Sequence, residues 1–244
     1  VGGIILKYLD RWYEQPLGAA FAKTQRAEIE AILPKLRGQR LLQLGVNPGI
    51  DFASVSPIPY CISLAPDIGL KQSAPFVAGC YHALPFLPDS IDLVLMNQVL
   101  EFESDLQIVL EEIGRILVGE GYVVVIGFHS LSLWGVAQLF KRKPTQAPWC
   151  GHFHSLFEVK QALSNLNFSI VTSKTFFFRP PIQNNYLLQH LEFLEKYGAL
   201  MWKAFGAGYL LVAKKKTLAT TPLRSRWEFS ELVTDRAVKP AARV

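Results

Sequence analysis

Leu41-Leu42-Gln43-Leu44-Gly45-Val46-Asn47-Pro48-Gly49 is an apolar run that stops at a glycine turn. A short run with little polar interruption suits a strand buried on both faces, as in a parallel sheet. Glycines at its end admit left-handed backbone and close approach of the chain to a ligand. In open α/β sheets, ligands sit beyond the carboxyl ends of the strands. A lone glycine turn is weak evidence, so the neighbouring segments decide the fold.

Upstream, Leu6 to Gln15 reads as a helix bearing Trp12 and Tyr13, and Pro16 marks a restart. Ala19 to Leu33 carries Phe21, Ile29, Ile32 and Leu33 at near-helical spacing, ended by Pro34 and Gly38. Arg40 to Leu44 is the first strand. Tyr60 to Leu64, Phe76 to Ala78 and Ile91 to Met96 are expected as the second to fourth. Ser104 and Asp105 can cap a helix through Leu106, Val109, Leu110, Ile113 and Leu117, with Gly119 and Gly121 closing it. Tyr122 to Ile126 reads as the central strand. Beyond it the pattern predicts helices over 130–143, 155–166 and 185–200, a long strand over 168–178 and a last strand over 209–213. Strands alternating with helices give a mainly parallel sheet covered on both faces.

Half of the 244 residues are hydrophobic and 18% are charged, the balance of a folded chain. No apolar run approaches the roughly 20 residues that span a bilayer. Val1 to Leu6 is too short for a signal-peptide core, and Cys61, Cys80 and Cys150 lack paired-ligand spacing. These features lead us to expect a cytoplasmic protein with reduced thiols. Residues 1–213 hold 17 basic and 17 acidic side chains, whereas 214–244 hold 8 and 3, so the tail carries the whole net charge of +5. Such a tail allows contact with nucleic acid, but nothing elsewhere resembles a nucleic-acid module.

Ala83-Leu84-Pro85-Phe86, Asp89 to Val94, Val99-Leu100-Glu101-Phe102 and the Leu110 to Gly121 stretch occur in the order seen in class I S-adenosylmethionine-dependent methyltransferases of the type 11 kind. The chain resembles that family over roughly residues 40 to 213. The resemblance implies a Rossmann-like seven-stranded, mainly parallel α/β sheet with helices on both faces and an antiparallel last strand. It divides the chain into an N-terminal helical segment (1–39) serving as a lid, a methyltransferase-like domain (40–213) with a lid insert (129–154), and the basic tail (214–244). It also implies S-adenosylmethionine as cofactor and an unidentified small molecule or exposed group as methyl acceptor. The alternative is a catalytically degenerate protein of the same fold with a binding or scaffolding role.

The cofactor positions implied are Gln43, Gly45, Asn47, Gly49, Ser63, Leu64, Cys80, Tyr81 and Asn97. Several depart from the family pattern. Gln43, Ser63 and Cys80 stand where the family carries acids, Asn47 replaces a glycine, and Phe102 replaces a histidine. A hydrogen bond to a charged group is worth about 1.5–3 kcal/mol, so each lost carboxylate would weaken cofactor binding about tenfold to a hundredfold. Weakened or lost cofactor binding is therefore expected. His129, after the central strand, and Asn97, after the fourth, are the candidates for contact with the reacting groups. His152 and His154 share a face of an extended segment but lack a second ligand pair, so no metal site is assigned. Trp134, Phe140 and Trp149 would either line an acceptor pocket or pack as core.

Overall fold

The computed structural model describes residues 2–45, 55–66, 75–140 and 147–217. Seven strands form one sheet in the order β3-β2-β1-β4-β5-β7-β6. They are β1 (Arg40–Gly45), β2 (Tyr60–Ala65), β3 (Phe76–Ala78), β4 (Ile91–Asn97), β5 (Leu117–Phe128), β6 (Phe168–Phe176) and β7 (Gly208–Lys215). The first five run parallel; β7 is antiparallel to both β5 and β6. This is the Rossmann-like, mainly parallel sheet expected from the sequence, with β7 inserted between β5 and the edge strand β6.

The helices are α1 (Gly2–Tyr13), α2 (Pro16–Ile32), α3 (Leu106–Ile116), α4 (Leu133–Phe140), α5 (Leu156–Asn165), α6 (Asn185–His190) and α7 (Phe193–Met201). Alternation along the strands divides the core. Leu41, Leu93, Leu95, Val124 and Ile126 face one layer, where Trp12, Leu17, Phe21 and Trp134 pack. Leu42, Val94, Met96, Val123 and Val125 face the other, where α3 and α5 bury Val109, Leu110, Ile113, Val159 and Leu163. Asp105 caps α3 by accepting the amides of Gln107 (2.8 Å) and Ile108 (3.4 Å).

Two elements differ from the sequence pattern. Helix α3 ends at Ile116 because Leu117 turns extended (ψ 135°) and pairs with Ile91 on β4. Gly119 and Gly121 therefore lie within β5, where the register shifts between the Leu117 and Tyr122 pairings, and do not close the helix. The helix expected over 185–200 is split into α6 and α7. Arg179 Nη1 donates to the Leu188 carbonyl (3.0 Å), the oxygen that would otherwise accept the Glu192 amide in a continuous helix.

The aromatic rings of the N-terminal helices and of the 129–154 insert are core. Phe21 lies 5.1 Å from Phe128 and 5.6 Å from Trp134, and Trp12 lies 5.8 Å from Phe128, centroid to centroid. Trp149 lies 5.5 Å from Trp134, the rings tilted by 39°. Tyr8 and Phe140 are the exceptions and are exposed. The tail expected from 214 begins later, because Lys214 and Lys215 are the end of β7 and pair with Glu120 and Asp89; residues 218–244 and the loop residues Asn47 and Gly49 lie outside the described residues.

Candidate functional site

The parallel register gathers the carboxyl ends of β2, β1 and β4. Gln43 pairs with Ser63 on one side and Leu95 on the other, and Gly45 pairs with Asn97. Paired residues of neighbouring strands project to the same face, so Gln43 and Ser63 stand side by side. Both are buried, and neither Gln43 Nε2 nor Ser63 Oγ has a hydrogen-bond partner among the described residues. An unmet buried donor is costly, about 1–3 kcal/mol, and here two stand on adjacent strands, whereas Trp12 Nε1 and Tyr209 Oη, also unmet, lie in the core layers.

Gly45 ends β1 at φ 91°, in the left-handed region. A Cβ there would overlap the Asn97 carbonyl oxygen, so glycine is required both for the turn and for the approach of β1 to the end of β4. Leu64 projects to the opposite face and packs with Tyr81 in the second core layer. The Tyr81 hydroxyl is buried without a geometric partner beside the Gly45 amide; burial, and then the Glu103 charge, raise its pKa. Cys80, two residues beyond β3, is exposed.

Asn97 is the last residue of β4 and fully buried. Its side-chain oxygen accepts from Gln25 Nε2 of α2. Gln98, next in the chain, adopts φ 46°, a rare conformation for a residue with a side chain. Its amide donates to Ile126 O (2.9 Å), its Nε2 to Gln25 Oε1 (3.2 Å), and its Oε1 accepts the Tyr13 hydroxyl (2.8 Å). Gln25 and Tyr13 thus join Asn97 and Gln98 in a buried polar network between the N-terminal helices and the tip of β4. Gln25 carries no motif; it lies in the polar stretch Lys23-Thr24-Gln25-Arg26 and periodicity does not single it out.

Glu101, in the turn after β4, is buried, and its Oε1 accepts the Phe128 amide at 2.6 Å. Burial pushes its pKa up to about 8. A side chain at Gly127 would overlap this carboxyl group, so the glycine makes room for it. His129 sits one residue past β5, with its amide on Ala207 O (2.8 Å). Its Nδ1 is buried without a partner, and desolvation lowers its pKa to about 4, so the ring is neutral near pH 7. His129 borders a different cavity, with Lys160 and Lys203, and not the Gln43–Ser63 pair. His154 is bound to Glu158 (3.1 Å) and to Leu100 O (3.2 Å), while His152 is exposed. No group of three metal-binding side chains occurs among the described residues.

Residues 40–125 match the family model described as methyltransferase domain. The match spans 86 of the 244 residues and shows a likeness to methyltransferase domains over the first five strands. The uncharacterised protein YafS of Escherichia coli K12 is 24% identical over 220 residues, covering 87% of this chain and 83% of YafS. A SAM-dependent methyltransferase of Thermotoga maritima superposes with a TM-score of 0.62 at 20% identity, covering 84% of this chain and 93% of that one. A SAM-dependent methyltransferase of Archaeoglobus fulgidus gives 0.57 at 18%, covering 78% and 93%. At these identities the structures speak for the fold. No helix among the described residues is long and apolar enough to cross a membrane.

Proposed function

We propose that this chain binds S-adenosylmethionine at the Gln43–Ser63 pair and transfers its methyl group to a small molecule or exposed acceptor group. The observation that carries the reading is the pair of orphaned polar atoms, Gln43 Nε2 and Ser63 Oγ, at the carboxyl ends of adjacent strands. Their chemistry fits the cofactor. A ribose hydroxyl can share a hydrogen bond with the Ser63 hydroxyl, and the Gln43 amide can donate to a ribose or carboxylate oxygen. Gly45 leaves the backbone open to a close ligand. When bound, the cofactor supplies an electrophilic methyl group, so the protein need only position the partners and exclude water. All the described contacts are neutral, so binding is weaker than a carboxylate at either position would give.

Titration calorimetry and thermal unfolding with S-adenosylhomocysteine test this. Saturable heat and a stabilisation of about 2.7 kcal/mol at a hundred times the dissociation constant are expected. No heat and no stabilisation at millimolar ligand would overturn it.

A second reading, a fold retained for binding without turnover, is favoured by the Tyr13–Gln25–Asn97–Gln98 network. These side chains occupy the tip of β4, where an acceptor could otherwise approach. Cofactor binding without methyl transfer to any acceptor, unchanged when Tyr13→Ala opens the network, supports this second reading.

A further inference from the structure

Two adjoining cavities lie at the carboxyl edge of the sheet, outside the Gln43–Ser63 pair. The first, about 690 Å³, is walled by Leu133, Val136, Leu139, Leu194, Trp202 and Phe205. The second, about 670 Å³, holds His129, Lys160, Lys174 and Lys203. Leu131 and Phe178 line both, so the two lie side by side and are treated together as one trough. Each falls within the range of roughly 300–1,000 Å³ typical of small-ligand sites.

The two halves differ in chemistry. The apolar half exposes large hydrophobic side chains; Leu139 is 84% exposed, and Leu133, Trp202 and Phe205 are each more than half exposed. A folded protein rarely leaves a contiguous apolar surface of this kind without a ligand or partner. The polar half is cationic. Lys174 is paired with Glu28, but Lys160 and Lys203 have no ion-pair partner among the described residues. His129 borders the same space with a buried Nδ1 that nothing satisfies.

We infer that this trough binds an amphiphile with a single hydrocarbon chain and an anionic head group. The chain lies along α4 against Leu133, Leu139, Trp202 and Phe205, and the head meets Lys160 and Lys203. Charge complementarity selects this occupant over a neutral one. Two unpaired ammonium groups at the end of an apolar groove leave an electrostatic demand that an alcohol or sugar head does not meet. The neutral imidazole of His129 can take a hydrogen bond from a head-group hydroxyl or protonated oxygen. The assignment does not depend on methyl transfer, because the trough is bounded by other residues than the cofactor pair.

The experiment is calorimetry of the full chain, without S-adenosylmethionine, using dodecyl phosphate below its micellar concentration. One saturable site is expected. Lys160→Ala with Lys203→Ala should weaken it at least tenfold, and Leu133→Asp with Leu139→Asp should abolish it. These side chains are exposed or half-buried, and an unchanged thermal melt checks that each variant folds. Dodecyl maltoside should bind at least tenfold more weakly, and inorganic phosphate should give no saturable heat. The assignment fails if dodecyl phosphate does not saturate, or if the double lysine variant binds it as tightly as the wild type. It also fails if phosphate alone binds as well, which would make the site an anion pocket. Co-sedimentation with phosphatidylglycerol vesicles without binding of the monomeric amphiphile would assign the face to a bilayer and overturn it too. S-adenosylhomocysteine binding is measured separately, so failure here leaves the cofactor reading standing.

Discussion

Stability should fall as pH rises from about 6.5 to 8, and Glu101 should carry the fall. Its carboxyl group is buried, one oxygen holding the Phe128 amide and the other unpartnered. Burial raises its pKa from 4.5 in the open chain to about 8 in the fold. Between those values the folded protein keeps a proton that the unfolded chain has released, so folding loses about 1.4 kcal/mol per pH unit as pH rises. His129 acts in the opposite sense. Its pKa drops from 6.5 to about 4 on folding, so the unfolded chain binds the extra proton in that window and stability rises with pH. From about 4.5 to 6.5 the two slopes cancel. Above 6.5 the His129 contribution is complete, and Glu101 by itself should cost about 2 kcal/mol by pH 8. Urea unfolding across this range measures it. Glu101→Gln keeps the acceptor for Phe128 and cannot ionise, so its stability should stay flat where the wild type declines. Glu103 and Glu195, whose pKa values are also raised by burial, are common to both proteins and drop out of the difference. Parallel wild-type and variant curves between pH 6.5 and 8 would refute the reasoning.

Other substitutions probe the cofactor pair and the core. Ser63→Asp restores a carboxylate beside Gln43 and should tighten S-adenosylhomocysteine about tenfold to a hundredfold by calorimetry; unchanged or weaker binding counts against the ribose assignment. Gln43→Leu removes an unsatisfied buried donor, so urea unfolding should show equal or greater stability while cofactor binding weakens. Gly45→Ala should lower stability by at least 1–3 kcal/mol, from the left-handed backbone and the overlap with Asn97 O, and a loss under about 0.5 kcal/mol would show that β1 ends differently. Trp134→Ala, at the centre of the aromatic layer, should cost about 3–5 kcal/mol in the same assay.

The fold was legible where apolar patterning is continuous. β1, β2 and β4 appear as mostly hydrophobic runs, each broken inside by one polar residue (Gln43, Ser63 and Asp92), and the central part of β5 as an unbroken one, because strands buried on both faces tolerate little polarity. Asp105 was legible as a cap because its short side chain has one local purpose there. The antiparallel β7 was not derivable from its own residues; Tyr209 to Ala213 reads as a buried strand of either direction, and the direction came from family resemblance. The split between α6 and α7 could not be read, because it depends on a long-range bond from Arg179 to Leu188 O.

The site divides along the same line. Gln43 and Ser63 could be named from motif position, but that both would be buried, adjacent and unsatisfied follows only from the β1–β2 register. Gln25 and Glu101 show the converse. Gln25 is a polar residue in a polar stretch of helix and looks solvated, yet α2 lies over the tip of β4 and buries it against Asn97. That network matters for the cofactor argument. Asn97 Oδ1 is met by Gln25, and the Gln98 side chain by Gln25 and Tyr13, so leaving them without a ligand costs little. Gln43 and Ser63, two strands of the same sheet, have no such relief. A fold that had given up its ligand would be under no constraint to keep a buried amide and hydroxyl unpaired, since apolar residues of similar size remove the cost. The satisfied tip of β4 beside the unsatisfied ends of β1 and β2 therefore weighs toward a retained ligand on the cofactor side, and Gln43→Leu measures both halves of that weighing in one protein.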